Sequence, residues 1–313
     1  MQNRRAVIAA LVVLAALIAP IVLRMRTGPS APGRSTAIRE LQERPARIIS
    51  MAPSITEVLF AVGAGDQVAG VTRYCDYPPE AATRPQVGGY LDPSYEAILS
   101  LQPDLVVILS EQETSSGKMF RELNLSVLVV EHRDISGILE SVTTIGRAAG
   151  REQQAAGLLE NLQARMDTIR GRVENRGRPK VLVVLGRNLS AGDLSNTYIA
   201  GSDGFYNDLV ELAGGSNSYR GRTIAFPAVS AEGLHLLAPE VIIEVIPNLG
   251  RTGIDSERFE QAWSELPGLL AADEGNVHVF VTGYAVRPGP RFILLAEDMA
   301  RAIHPGADWP AGE

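Results

Sequence analysis

Two glutamates, Glu96 and Glu232, occupy equivalent positions in two segments of the chain that resemble each other. The segments run from Ser94 to Ile108 and from Ser230 to Glu244, and each reads as serine, glutamate two residues later, a short apolar helix, proline, an acidic residue and an apolar strand. A serine N-cap with a carboxylate in the first turn suits the positive end of a helix dipole, and the proline ends the helix. The carboxylates either serve only these helices or, as a matched pair on the surface, recognise arginines through charge-assisted hydrogen bonds.

The repeated segments predict the α/β fold class, with two similar lobes and a ligand cleft between them. Short apolar strands alternate with helices in both halves, which favours mainly parallel sheets covered on both faces. In residues 151–177, Leu162, Met166 and Ile169 follow one another at helical spacing, and proline is absent. We therefore expect one long backbone helix to join the two lobes.

The N-terminus predicts a membrane anchor or a signal segment and, together with the resemblance described below, a position outside the cytoplasm. An apolar run, Ala6–Leu23, is flanked by arginines, and its eighteen residues would reach about 27 Å as a helix, close to the thickness of a bilayer core. We favour an uncleaved anchor over a cleaved signal peptide, because secretory apolar regions are usually shorter and no Ala-x-Ala site follows. The predicted boundaries are a membrane anchor or signal segment at 1–26, a flexible linker at 27–43, an N-terminal lobe at 44–150, the connecting helix at 151–177 and a C-terminal lobe at 178–313.

Composition and missing motifs narrow the function further. Charged residues make up 21% of the chain, both signs are mixed and the net charge is −7, which speaks against a nucleic-acid-binding protein. Cys75 is the single cysteine, so no disulfide framework exists, and the four histidines lack the spacing of a zinc site. The sequence contains no nucleophile elbow, phosphate loop or dinucleotide-binding fingerprint. We therefore expect no catalysis, no cofactor and no protein-bound metal.

Three motifs carry a resemblance to a known family. They are Pro-Ser-x-Thr-Glu-x-Leu-Phe-Ala-x-Gly at Pro53–Gly63, Tyr-x-Asp-Tyr-Pro-Pro at Tyr74–Pro79, and Leu-x-Pro-Asp-Leu-Val-Val at Leu101–Val107. With the long central helix, the chain resembles the helical-backbone (class III) substrate-binding proteins of ABC importers, the group that takes up vitamin B12 and ferric siderophores. The resemblance implies a monomer that captures an iron chelate (ferric siderophore or haem) or cobalamin and delivers it to an ABC permease with its ATPase subunits. A membrane-tethered sensor or scaffold with the same fold is the alternative, and the sequence does not decide which chelate binds.

The resemblance also assigns roles to individual residues. It implies that Glu96 and Glu232, one on each lobe, dock into arginine pockets of the permease. Tyr74, Tyr90 and Phe226 lie where the cobalamin-binding members carry aromatic residues that contact the ring, although tryptophans are expected at the last two positions. Aromatic faces suit a flat macrocycle, and the other interpretation is that these side chains only pack near turns.

Arginines near these aromatic residues suggest a second class of ligand contact. Arg73 precedes Tyr74, Arg222 precedes Phe226, and Arg287 lies before the last helix. Guanidinium groups that converge on the cleft would suit an anionic ligand such as a carboxylate siderophore or the haem propionates. Each arginine taken alone is also consistent with a solvated surface charge.

Overall fold

The computed structural model describes residues 44–187, Leu194, 196–221, 225–246 and 256–309. The predicted anchor, the predicted linker and Arg222 lie outside these residues. Within the described ranges, no helix combines the length and the apolar character needed to cross a membrane.

The N-terminal lobe is built on a four-stranded, fully parallel sheet. Its order is β2-β1-β3-β4. The third strand is buried along its whole length, as expected for a parallel sheet with helices on both faces. The elements of this lobe are β1 (Ile48–Ser50), α1 (Pro53–Ala61), β2 (Val68–Val71), α2 (Tyr95–Ser100), β3 (Leu105–Leu109), α3 (Lys118–Glu122), β4 (Val127–Val130) and α4 (Ile135–Ala149).

Capping residues in the sequence fix where α4 begins and ends. The backbone N–H of Gly137 donates to Oδ1 of Asp134, the N-cap residue, at 2.7 Å. Gly150 ends the helix in the left-handed conformation, with φ at 67°, which a residue without a Cβ adopts at little cost. Both ends of the helix are therefore set by residues that lie next to it in the sequence.

The predicted backbone helix is α5 (Glu152–Val173). Leu162, Met166 and Ile169 are buried on one face and belong to the core cluster of the C-terminal lobe. At its N-terminal end, α5 packs so closely on α4 that a Cβ at Gly146 would collide with the side chain of Ala155. One helix thus packs against elements of both lobes.

The C-terminal lobe is built on a six-stranded mixed sheet. Its order is β10-β9-β5-β6-β8, with β7 paired to β5. Strands β10, β9, β5 and β7 pair in parallel, whereas β6 is antiparallel to both β5 and β8. The elements are β5 (Lys180–Gly186), β6 (Thr197–Ile199), α6 (Phe205–Leu212), β7 (Ser216–Asn217), β8 (Ala228–Val229), α7 (Ala231–Leu237), β9 (Val241–Val245), α8 (Ser256–Ser264), α9 (Leu270–Asp273), β10 (Val277–Phe280) and α10 (Phe292–Ile303).

The predicted fold class is confirmed, and the antiparallel edge of the second sheet is the part that the sequence did not predict. Strands β6 and β8 contain three and two residues, too few for a period-two pattern to be recognised. The exact lobe boundaries at 44–150 and 178–313 stay a prediction.

A buried ion pair lies inside the C-terminal lobe. Arg187 follows β5 and donates from Nε to Oε1 of Glu244 on β9 at 2.6 Å and from Nη2 to Oε2 at 3.1 Å. The two side chains are only 3% and 1% exposed. The indole N–H of Trp263 donates to the same carboxylate at 2.8 Å, and the guanidinium carbon lies 5.3 Å from the ring centroid of Phe259. The pair therefore ties α8 to the sheet.

Candidate functional site

Loops that leave the carboxyl ends of the two sheets contact each other. Asp76 lies in the loop after β2, and Arg287 lies in the loop after β10. The guanidinium of Arg287 binds both carboxylate oxygens of Asp76, with 2.8 Å between Nη2 and Oδ2. The hydrogen bond from Arg287 lowers the pKa of Asp76 below its ordinary value. Since open parallel sheets bind ligands at the carboxyl ends of their strands, this contact marks the cleft between the lobes.

A second and more deeply buried pair lies beside the first. Arg291, at the start of α10, donates from Nε to Oε2 of Glu57 on α1 at 2.9 Å, and the Glu57 side chain is 2% exposed. The guanidinium carbon of Arg291 lies 3.7 Å from the ring centroid of Tyr77, within the range of a cation–π contact. Sequence reasoning missed Glu57, whose only signal is a carboxylate within an otherwise apolar helix.

The loop after β2 carries two of the predicted ligand residues, Arg73 and Tyr74. Tyr74 is 51% exposed, so its ring is available for contact. Arg73 forms an ion pair with Asp92, and its guanidinium carbon lies 5.6 Å from the Tyr74 ring centroid. The structure thus brings both residues to the carboxyl end of the N-terminal sheet, and their role in binding stays a prediction.

Tyr90 lies in a neighbouring loop that Gln112 holds in place. The side-chain amide of Gln112 donates to the carbonyl oxygens of Tyr90 at 2.8 Å and Met51 at 3.2 Å, and its oxygen accepts from the Leu109 N–H at 3.0 Å. Burial, followed by the nearby charges of Glu111 and Glu131, raises the pKa of Tyr90 to about 12. Gln112 was missed because glutamine is usually exposed, and only its position three residues after the end of β3 could have indicated a role.

Phe226 lies on the C-terminal lobe and is 56% exposed. Backbone hydrogen bonds on both sides fix its position, from Ile199 N–H to Pro227 O at 3.0 Å and from Gly201 N–H to Ala225 O at 2.8 Å. Its neighbour in the prediction, Arg222, lies outside the described residues. Phe226 therefore presents more than half of its surface to solvent.

Glu96 and Glu232 lie in the first turns of α2 and α7, and both are exposed. The caps themselves are made by the serines, because Ser94 Oγ accepts from Ala97 N–H at 3.3 Å and Ser230 Oγ accepts from Gly233 N–H at 3.2 Å. Neither carboxylate forms a hydrogen bond or ion pair with another described residue. Helix capping is thus carried by other side chains, and docking by the glutamates stays a prediction.

His132, two residues after the end of β4, is buried in a network with one serine on α1 and one on α4. Its Nδ1 lies 2.8 Å from Ser54 Oγ, and its Nε2 lies 2.7 Å from Ser141 Oγ. The Ser141 hydroxyl donates to the Ile138 carbonyl at 2.7 Å, so Nε2 of His132 must donate to Ser141. A neutral ring then accepts at Nδ1 from the Ser54 hydroxyl. Burial lowers the pKa of His132 to about 3, which keeps the ring neutral at physiological pH.

We expect acid to destabilise the fold through His132. In the unfolded chain His132 takes up a proton near pH 6.5, whereas in the folded chain it does so only near pH 3. The neutral ring therefore contributes its full stability above pH 6.5, and this contribution is lost as the pH falls toward 3. Between pH 7 and pH 5 the loss should be about 2 kcal/mol. Urea unfolding at the two pH values measures it, and the loss should shrink by that amount in His132→Gln. An equal pH dependence in both proteins would contradict the assignment.

The described part of the site contains one buried thiol and no cluster of metal ligands. Among the described residues, no group of three or more histidine, cysteine, aspartate or glutamate side chains is arranged to hold a metal ion. Cys75 is buried and hydrogen-bonded to Thr56 and Thr72, and burial raises the pKa of its thiol. The arrangement is one of exposed rings and paired charges at a cleft, which suits recognition of a ligand.

Comparison with known proteins assigns the family. The model of the periplasmic binding protein family matches residues 48–267, more than half of the chain. The chain belongs to the periplasmic binding protein family. The family expected from the three motifs is therefore confirmed, and members of this family bind solutes outside the cytoplasm.

Several members of the family are similar to this chain over most of their length. An ABC transporter substrate-binding lipoprotein of Bacillus subtilis, YvrC, is 26% identical over 271 residues, covering 85% of this chain and 82% of the relative. A cobalamin-binding protein of Halobacterium salinarum is 28% identical over 286 residues, covering 87% and 73%. The crystal structure of the periplasmic vitamin B12-binding protein BtuF of Vibrio cholerae superposes with a TM-score of 0.70 at 21% identity, covering 83% and 97%. The last similarity supports the fold alone.

Proposed function

We propose that this protein is the substrate-binding component of an ABC importer and captures a metal chelate between its two lobes. The observation that carries the proposal is the pair of exposed aromatic side chains, Tyr74 and Phe226, at loops of opposite lobes, 51% and 56% exposed. Large aromatic rings are usually buried, so two exposed rings beside a cleft indicate a ligand with an extended flat surface. The similarity to a protein named as an ABC transporter substrate-binding lipoprotein supports the transport role.

The ligand class is cobalamin, haem or a ferric siderophore. Cobalamin and haem have a broad face that can lie against Tyr74, Tyr90 and Phe226, with polar groups around its edge, whereas a ferric siderophore would offer the smaller chelating groups around its iron. The relative from Halobacterium salinarum that is named a cobalamin-binding protein supports a corrinoid. The protein itself performs no chemistry on the chelate and needs no cofactor, because the work of transport falls to the ATPase subunits.

The proposed partners lie in and beside the membrane. Glu96 and Glu232 would bind arginines of the permease, one from each lobe, and the scaffold between them would make this recognition bivalent. Residues 1–26 would tether the chain to the outer face of the cytoplasmic membrane as a monomer. A tether would keep the binding protein close to its permease and raise its effective concentration there.

A thermal-shift series on the purified full-length chain tests the binding function. Cyanocobalamin, haem and several ferric siderophores would each be added at increasing concentration. A ligand at 100 times its dissociation constant stabilises the fold by about 2.7 kcal/mol, which corresponds to a rise of a few degrees in the midpoint. We expect one chelate class to raise the midpoint at micromolar concentration. No shift with any of them would contradict chelate capture and favour a sensor or scaffold.

A further inference from the structure

Among the described residues, the two arginines that were predicted to contact the ligand, Arg73 and Arg287, already pair with carboxylates of the same protein. Arg287 is bound through both outer nitrogens to Asp76, so its donors that face the loop are occupied. The Arg287 side chain is 19% exposed, whereas that of Asp76 is 64% exposed. The carboxylate, rather than the guanidinium, is thus the member of the pair that faces solvent. Arg73 pairs with Asp92 through a single contact between Nη2 and Oδ2, and the two side chains are 43% and 66% exposed.

Two more carboxylates lie beside the Tyr90 loop. Glu111 and Glu131 follow β3 and β4 and contribute to the raised pKa of Tyr90. Glu131 also pairs with Arg133, at 3.6 Å. Among the described residues, a ligand that lies on Tyr74 and Tyr90 would therefore meet guanidinium groups that already have a carboxylate partner.

We propose that Asp76, by occupying Arg287, sets the charge selectivity of the cleft, so that the ligand is a chelate with neutral, amide-like groups at its edge and not one with free carboxylates. This inference rests on the proposed function, since it names the ligand class of the same site. A ligand carboxylate near Arg287 would have to displace Asp76 or lie against it, and like charges in a partly desolvated site repel each other. A neutral amide has no such penalty and can donate its N–H groups to the exposed oxygens of Asp76.

A preference for a neutral ligand is the opposite of what the arginines indicated in the sequence. Arg73 and Arg287 indicated an anionic ligand as long as their partners were unknown. Removal of the Asp76 charge should restore that preference, because Arg287 would then offer an unpaired bidentate site for a carboxylate. Asp76→Asn keeps the size of the side chain and removes only the charge, so it is the variant of choice.

Two pairs of ligands that differ mainly in the charge at their edge measure the selectivity. The first pair is cyanocobalamin and its monocarboxylate, in which one propionamide is hydrolysed, and the second is haem and its dimethyl ester. Dissociation constants would be determined for the purified full-length wild type, for Asp76→Asn and for Arg287→Gln. The control is Asp66→Asn, because Asp66 pairs with Arg151 at 3.1 Å on residues outside the cleft loops. Melting curves confirm that each variant is folded.

In the wild type we expect the neutral member of each bound pair to be preferred. In Asp76→Asn the ratio of the two dissociation constants should shift about tenfold toward the anionic member, with a shift below about threefold in Asp66→Asn. In Arg287→Gln the anionic member should bind more weakly still, because Asp76 is then uncompensated. An unchanged ratio in both cleft variants would overturn the role of Asp76 while leaving chelate binding intact. Failure of the wild type to bind any of the four ligands would instead overturn the proposed function and this inference with it.

Discussion

Replacing Glu244 with glutamine is expected to lower the free energy of unfolding by about 3–5 kcal/mol. The substitution leaves the Arg187 cation without its counter-charge at a site where the two side chains are 3% and 1% exposed. A buried charge without a partner has lost its hydration and gains nothing in return. Glutamine retains the shape and can still accept from Trp263, so the effect isolates the charge. Urea unfolding of the purified protein at pH 7 measures it.

Two further variants test whether the loss of stability comes from the buried charge of Arg187. Glu297→Gln breaks a geometrically similar pair with Arg165, bidentate at 2.8 Å, whose side chains are 24% and 33% exposed. We expect a loss below about 1 kcal/mol there, since water can solvate the remaining charge. The double change Arg187→Met with Glu244→Leu should recover most of the lost stability, because neither charge is then buried. If Glu244→Gln costs no more than Glu297→Gln, the pair is not isolated from solvent.

The second large effect is expected on transport, when the two predicted docking glutamates are removed. In cells that depend on this protein for uptake, changing Glu96 and Glu232 together to alanine should reduce chelate uptake by at least about tenfold while ligand affinity stays the same. Each carboxylate would lose a charge-assisted contact that is worth about 2 kcal/mol or more at an interface. The helices should survive, because Ser94 and Ser230 make the N-caps.

The matched control for that experiment changes Glu140 and Glu160, two exposed glutamates on α4 and α5. This double variant loses the same net charge and should transport normally. Uptake that persists in the variant of Glu96 and Glu232 would exclude docking through these carboxylates. A parallel fall in ligand affinity or melting temperature would show instead that they stabilise their helices.

Most elements of the fold, though not the short strands β6 and β8, were predictable because their signals are local. The strands Val68–Val71 and Val127–Val130 are short apolar runs between turn residues, and the backbone helix shows a clear apolar stripe at Leu162, Met166 and Ile169. The serine caps of the two repeated helices were also predicted and are confirmed. In each case the information lies within a few consecutive residues.

The charge state of the cleft was not predictable, because it depends on contacts between distant parts of the chain. Asp76 and Arg287 are 211 residues apart, and Glu57 and Arg291 are 234 apart. Their pairing follows from two sheets turning their carboxyl ends toward each other, which no local pattern encodes. In the sequence alone, Arg287 was interpreted as a ligand contact. Its pairing with Asp76, which only the structure shows, changes that interpretation.

The buried pair of Glu244 was partly predictable from the sequence. Glu244 lies within the apolar run Val241–Val245, and because a glutamate is rarely buried without a partner, this position indicates a buried ion pair. The identity of the partner, Arg187, requires the pairing of β9 with β5. The sequence thus indicates that Glu244 needs a partner, and the sheet topology identifies that partner.

The central claim, that a chelate is held between the two lobes, is tested most directly by titrating one variant from each lobe. The chelate that raises the melting midpoint would be titrated into the wild type, Tyr90→Ala, Phe226→Ala and Leu270→Ala, the last removing an exposed apolar side chain that was not assigned to the ligand. We predict one binding site per chain and a loss of about tenfold or more in affinity for both aromatic variants, with unchanged binding in Leu270→Ala. Full affinity in both aromatic variants, or a loss confined to one lobe, would contradict capture between the lobes.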